Sequence, residues 1–281
     1  RSLVGSEMCI RDRILSLLYN IVDRIYIARI PSVGTTALGA VGLCFPIIVI
    51  ITAFSNLFGS GGAPLFSINR GKGNIKKAEV IMNTSFSMLC ICGVTLMVIG
   101  MLFASPILVL FGASEEGLSY AYPYMMIYLI GTVPSMIATG MNPFINAQGY
   151  ATSGMLSVTI GAVANLILDP LFIFGLNLGI KGAAIATIIS QTLSAAYVFY
   201  FLRKKAELKV RVLSKGEWKA CRDDAKNIVS LGSAGFIMQL TNSLVTICCN
   251  SVLSGIGGDV YISVMTVSYT HLRAHETTLH L

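Results

Sequence analysis

An unbroken apolar run of about 20 residues or more leaves a chain few folds to choose from, because that length matches the hydrocarbon core of a bilayer. This chain carries a series of them. Ala37 to Ile68, Val80 to Phe103, Leu118 to Pro143 and Ala183 to Leu202 hold no charged residue, and Met155 to Leu176 holds only Asp169. In lipid the backbone must satisfy its own N–H and C=O groups, so runs of this length are helices. Composition agrees. The chain of 281 residues is 54% hydrophobic and 12% charged, with mean hydropathy +0.75. Soluble domains average about 25% charged residues. The expected class is an all-α membrane protein.

A net charge of +7 raises the question of nucleic acid. The basic residues, however, collect in the polar segments Asn69 to Lys77 and Arg203 to Lys226, while the segment Ala113 to Gly117 holds Glu115 and Glu116 and no Lys or Arg. That alternation is the mark of membrane orientation, with the basic loops in the cytoplasm. No nucleic-acid partner is expected. Two readings suit Arg203 to Lys226: an amphipathic helix on the cytoplasmic leaflet with Trp218 at the interface, or a solvated linker. Cys90, Cys92, Cys248 and Cys249 sit in apolar runs without ligand spacing, and read as small buried hydrophobes.

The most informative stretch is Ala162 to Asp169 with Pro170 behind it. Asn165 and Asp169 are four residues apart and share a helix face. Pro170 has no N–H, so the carbonyl of Leu166 loses its helical donor. An amide, a carboxylate and a freed carbonyl thus meet at one level of an apolar helix. A charge there costs about 2.5–3.5 kcal/mol on insertion scales, which marks it for function. The plainer reading is an Asp at the membrane surface or at a helix end. Ile14 to Ile30 reads as part of a first span and contains Asp23 beside Arg24. Gly59, Ser60, Gly61 and Gly62 are the small residues that close helix packing in lipid uses. Pro123 and Pro134 fall inside the fourth run.

Both ends look foreign. Arg1 to Arg13 and Val267 to Leu281 resemble translated sequencing-adapter read-through, and the three histidines, His271, His275 and His280, all fall in the second of these. QLTNSLVTICCNSVLSGIGGD, at the start of a seventh run, resembles LLYNIVDRIYIARIPSVGTTA of the first, as in transporters built from repeats.

Several segments carry a family resemblance. LYNIVDRIYIAR and ALGAVGLCFPI, then INAQGYAT, NLILDPLFIFG and GIKGAAIATIISQ, are similar in order and spacing to prokaryotic members of the multidrug and toxic compound extrusion family, from about Leu15 to Val264. The resemblance implies a twelve-helix transporter in two lobes. Residues 14–203 are then the six-helix N-terminal lobe, 204–227 a cytoplasmic inter-lobe linker, and 228–266 the start of helix seven. Residues 1–13 and 267–281 are the foreign ends. It implies a secondary antiporter, not an enzyme, exporting cationic or amphipathic drugs in exchange for Na⁺ or H⁺, without other cofactors. It implies a full-length monomer in a bacterial plasma membrane.

The family's cation-binding positions match Asp23, Asn165, Asp169, Thr187 and Tyr124. Tyr19, Asn20, Met141, Asn142 and Gln191 are expected to line a substrate cavity between lobes. Arg24 is expected to pair with a lobe carboxylate or to face headgroups. Two alternatives stand beside the exporter. A lipid-linked oligosaccharide flippase of the same superfamily would need a more cationic cavity, and an intramembrane aspartyl enzyme would use Asp23 and Asp169 as its pair.

Overall fold

The computed structural model describes residues 21–30, 34–211 and 221–279. Among them the chain is helical nearly throughout. Residues 21–28 form α1. The chain continues through α2 (Gly34–Gly71), α3 (Ile75–Leu102), α4 (Ala104–Leu110), α5 (Glu115–Ile130), α6 (Thr132–Ala147), α7 (Ala151–Pro170), α8 (Ile180–Tyr200) and α9 (Arg222–Leu279). Five of the described helical stretches are long and apolar enough to span a bilayer, and α5 with α6 makes a sixth as one bent span. This is the all-α membrane architecture expected.

The polar residues at the ends of the runs start the helices. Asn74 accepts a hydrogen bond from the Lys77 N–H at 3.3 Å ahead of α3, and Ser114 accepts one from the Gly117 N–H at 2.9 Å ahead of α5. Such caps satisfy donors that a helix start leaves without partners. Glu115 and Glu116 then sit in the first turn of α5, where the helix dipole favours negative charge.

Prolines decide where spans bend. The fourth run turns by 56° between α5 and α6. Pro134 offers no N–H to the carbonyl of Ile130, so the helix breaks one turn before it, at Gly131. Within α6 Pro134 is harmless, since a first-turn N–H has no helical partner anyway. Pro123 stays inside α5. Pro170 acts similarly at the end of α7. The chain widens there into a π-helical turn, Leu171–Gly175, closed by Leu176 N–H to the Leu171 carbonyl at 2.9 Å.

The glycines around position 60 set the helix spacing. A Cβ on Gly59 would strike the backbone of Gly140 on α6, and one on Gly61 the Ile228 carbonyl and Gly232 on α9. One on Gly62 would strike Ser85 of α3 and Phe144 of α6. Three neighbouring glycines therefore bring α2 against three different helices, and Ser60 is left exposed. Contact of backbone with backbone replaces the hydrophobic drive that lipid cannot supply. Cysteines fit the apolar reading only in part: Cys90, Cys92 and Cys249 are half-buried, while Cys248 is exposed on α9.

Residues 206–211 depart from both readings of the basic linker. They form no surface helix, and only every second side chain is solvated. Ala206, Leu208 and Val210 are buried, while Glu207, Lys209 and Arg211 are exposed. That is the alternation of an extended strand. Gln148, buried at the end of α6, accepts from the Leu208 N–H at 3.0 Å and donates to its carbonyl at 3.5 Å. Buried Asn83 accepts from the Arg211 N–H at 2.8 Å. Ion pairs fasten the outer edge: Arg70 to Glu207 at 2.6 Å, and Lys77 to Asp224 of α9 at 2.7 Å. Trp218 lies outside the described residues. So does the segment 1–13, whereas α9 runs on as helix through the segment 267–279.

Two outcomes follow from the packing. Gly61→Ala is expected to lower the unfolding temperature of the purified chain in detergent, because overpacking costs about 1–3 kcal/mol. Gly71→Ala, where a Cβ meets nothing within 4 Å, serves as the control and leaves it unchanged. Gln148→Ala strands the Leu208 amide and carbonyl. A buried group left without its partner costs about 1–3 kcal/mol, so trypsin cleavage at Lys209 and Arg211 should accelerate by about tenfold.

Candidate functional site

The site begins with the Asn165–Asp169 pair. On α7 the two side chains meet as their spacing predicts, with Asn165 Nδ2 donating to Asp169 Oδ1 at 3.1 Å. Both residues are buried, Asp169 fully. Across from them stands Asp23 of α1, its carboxyl within hydrogen-bonding reach of Asp169. Asp23 Oδ1 and Asp169 Oδ2 are both buried, and among the described residues no donor satisfies either. The two carboxyl groups thus approach each other in a buried setting.

Of the other expected cation ligands, Tyr124 comes near Asp23 and Thr187 shares the lining of a cavity with Asn165. Tyr124 of α5 is buried, stacked on Tyr128 with ring centroids 6.3 Å apart, and within electrostatic reach of Asp23. Thr187 of α8 donates its hydroxyl hydrogen to the Ala183 carbonyl at 2.9 Å, which leaves its oxygen as an acceptor. Arg24, one residue from Asp23, acts on that carboxyl through its charge and also packs on a ring. Its guanidinium lies 5.2 Å from the ring centroid of Phe45, where α2 meets α9. Neighbouring residues on a helix diverge by about 100°, so Asp23 turns into the lobe while Arg24 turns to its edge.

Beside the carboxyl pair lies a cavity of about 350 Å³, walled by α6, α7 and α8. Asn165 and Thr187 belong to its lining. Asn165 therefore touches the cavity and Asp169 at once. Asn142 also lines it, donating to the Gly154 carbonyl at 3.0 Å and the Ser157 hydroxyl at 2.8 Å, which ties α6 to α7. Gln191 lines it within reach of the Tyr128 hydroxyl.

Not every expected substrate residue is there. Met141 is fully buried in the core with Gly140 and Phe144, on the face of α6 turned from the cavity. The tight approach of Gly140 to α2 fixes that rotation. Tyr19 and Asn20 lie outside the described residues. The cavity is walled by α6, α7 and α8. Ser190 and Ser194 line it too, and the sequence reading passes over both. Their signal is present, since Thr187, Ser190, Gln191 and Ser194 follow the i, i+3, i+4, i+7 spacing of one helix face.

The profile of the MatE family matches residues 9–171. The multidrug export protein MepA of Staphylococcus haemolyticus is 28% identical over 245 residues, covering 87% of this chain and 53% of that protein. A protein of Shewanella oneidensis named FAD transporter is 28% identical over 244 residues, covering 85% and 52% respectively. The solved structure of the MATE multidrug transporter DinF-BH, determined as a complex, is similar with TM-score 0.82 and 32% identity, over 94% of this chain and 58% of that one. An inward-facing MATE family transporter of the MOP superfamily gives TM-score 0.82 and 27% identity, over 91% and 57%. The chain thus spans about half the length of the relatives it matches. These relatives are named as transporters, not as enzymes.

Asp169→Asn tests the geometry directly. The amide keeps an oxygen for Asn165 and turns a donor toward Asp23, so two opposed acceptors become a bonded pair. Thermal unfolding in sodium-free detergent buffer at alkaline pH should show stabilisation of about 1–3 kcal/mol. Asp169→Leu, which leaves Asp23 and Asn165 without partners, should destabilise under the same conditions.

Proposed function

Because the chain belongs to the MatE family, we propose that it forms the cation-coupled lobe of a secondary active exporter. In this reading, Na⁺ or H⁺ entering at Asp23 and Asp169 is exchanged for a cationic or amphipathic drug leaving the cell. The observation that carries the reading is the pair of buried, facing carboxylate oxygens beside a polar cavity. A buried negative pair without donors is unstable until a proton or a cation joins it. Oxygen donors suit a hard ion, and Asn165, Thr187 and Tyr124 add an amide, a hydroxyl and a phenol oxygen to the two carboxylates.

The mechanism follows from charge. With a proton or Na⁺ between them, Asp23 and Asp169 attract, and α1 closes on α7. Without it they repel, and α1 moves away. Pro170 and the π-helical turn behind it lack part of the helical hydrogen-bond ladder, so α7 yields there at least cost. Asn165 carries the change to the cavity, because its amide is held by Asp169 on one side and faces the drug on the other. Cation entry and drug departure are then linked through one side chain. Such coupling requires that each ligand prefer a different arrangement of the lobe.

In the same reading the exporter is a monomer in the plasma membrane of a bacterium, with the basic segments 69–77 and 203–226 in the cytoplasm. Two features disfavour the alternatives. No Lys or Arg lines the cavity among the described residues, which removes the cationic bed a lipid pyrophosphate would need. The named relatives of the carboxyl pair's scaffold are transporters, which speaks against proteolysis.

The experiment is dye efflux from cells stripped of their own exporters, expressing a transporter that carries this lobe, with Na⁺ and pH gradients imposed separately. Asp23→Asn and Asp169→Asn should each reduce gradient-driven efflux to the background of cells without the transporter, at unchanged membrane abundance. Full efflux in either variant would reject the coupling role of the pair.

A further inference from the structure

The end of the lobe where α2, α6 and α8 finish is strongly basic. Residues 69–79 and 203–211 hold nine Lys or Arg against two Glu. The two stretches are far apart in the chain and meet in space. Arg70, in the last turn of α2, donates to the Ala147 carbonyl at the end of α6 at 3.0 Å and to Glu207 at 2.6 Å. Arg211 Nε comes to 4.0 Å from Glu79 of α3. Both acids are thereby answered, and most of the basic charge is surplus. Lys72, Lys76, Lys204, Lys205 and Lys209 are exposed, and among the described residues no ion pair holds them. Like charges gathered on one face repel, and an anion seated there relieves them.

Rings mark the level of this face in a bilayer. Tyr150 and Tyr200 are exposed, and Tyr150 packs edge-on against Phe201 with centroids 5.2 Å apart. Tyrosines at the end of a membrane helix sit at headgroup level, where the ring finds apolar surroundings and the hydroxyl finds water. Arg203, Lys204 and Lys205 follow Tyr200 directly, and the Arg203 guanidinium lies 5.7 Å from the ring centroid of Phe199. These cations therefore emerge at the depth of lipid phosphates. A soluble acidic protein or a nucleic acid would meet them only after the lipid had.

We propose that this face binds the headgroups of anionic phospholipids, through the lysines of the α2–α3 turn and of the segment that follows α8. Basic clusters beside a membrane helix attract such lipids, and the attraction fades within a Debye length. Lys204, Lys205 and Lys209 belong to the chain that leads towards α9, so lipid bound there holds that segment against the lobe. The inference needs only that the chain lie in a bilayer, and it is independent of the exchange at Asp23 and Asp169.

The test is electron paramagnetic resonance on the whole chain in phosphatidylcholine vesicles. Trace spin-labelled phosphatidylglycerol or phosphatidylcholine is added, and the motionally restricted fraction gives their relative association. Phosphatidylglycerol should associate about fivefold more strongly, the share of a few exposed lysines near a headgroup. Lys204→Gln with Lys209→Gln should reduce that preference to about twofold, and Lys204→Arg with Lys209→Arg should keep it. Arg29→Gln with Lys181→Gln removes two exposed charges at the opposite end of the lobe, since α8 rises about 30 Å between Lys181 and Tyr200, and should also keep it. Sodium phosphate and sodium chloride at equal ionic strength should weaken the preference alike, by screening alone. Equal association of the two lipids, or an equal loss in both glutamine pairs, would overturn the site. Stronger displacement by phosphate than by chloride would also overturn it, because the face would then hold a free anion and not a lipid.

Discussion

A carboxylate in hydrocarbon must find a hydrogen, a cation or an opposite charge, and Asp169 is held by the fold where only part of that need is met. One oxygen accepts from Asn165 on the same helix. The other faces Asp23 across the gap between α7 and α1, with no donor among the described residues. Arg24, beside Asp23 on α1, is a positive charge acting on the pair. In the exchange proposed above, a proton or a cation joining the pair is what would relieve it. Much else in the structure serves to bring these two residues opposite one another at the edge of a polar cavity.

Close packing makes that placement possible. Gly59, Gly61 and Gly62 let α2 approach α6, α9 and α3 at backbone distance, so the helices around the site are set by covalent geometry more than by interlocking side chains. Asn142 adds a polar tie between α6 and α7, and Ser194 a second between α8 and α7. Interhelical hydrogen bonds of this kind are individually modest in membranes, roughly 0.6 kcal/mol on average. Together they hold three cavity walls in register. Among the described residues, the carboxyl contact is the polar link between α1 and α7.

Much of this is legible in the residues. Hydropathy marks the spans, because lipid admits so few backbone solutions, and the four-residue spacing of Asn165 and Asp169 marks the first half of the site. Asp23 is harder. Nothing local announces which carboxylate on another helix will face Asp169, and only family resemblance leads to it. Pro134 is visible as a helix disturbance, but its effect depends on Gly131 and on what packs at the bend, so Pro123 looks equivalent. Met141 falls on the opposite face from the one expected for a related reason. The rotation of α6 is dictated by Gly140 against α2, a contact between distant positions. Ser190 and Ser194 escape notice although their spacing is plain, since serine on an apolar helix reads as filler when its neighbours are unknown. The alternation in AELKVR is likewise present, hidden beneath its charges.

The docked extended segment at 206–211 changes how force moves through the molecule. A loose tether transmits little, since tension is absorbed as the chain straightens. Here the chain is gripped by Gln148, which closes the C-terminal end of α6 fewer than two turns from Asn142. Lys77 and Asp224 grip it again where α9 begins. A pull on residues 206–211 thereby falls on Gln148, and so on the helix that forms one wall of the cavity.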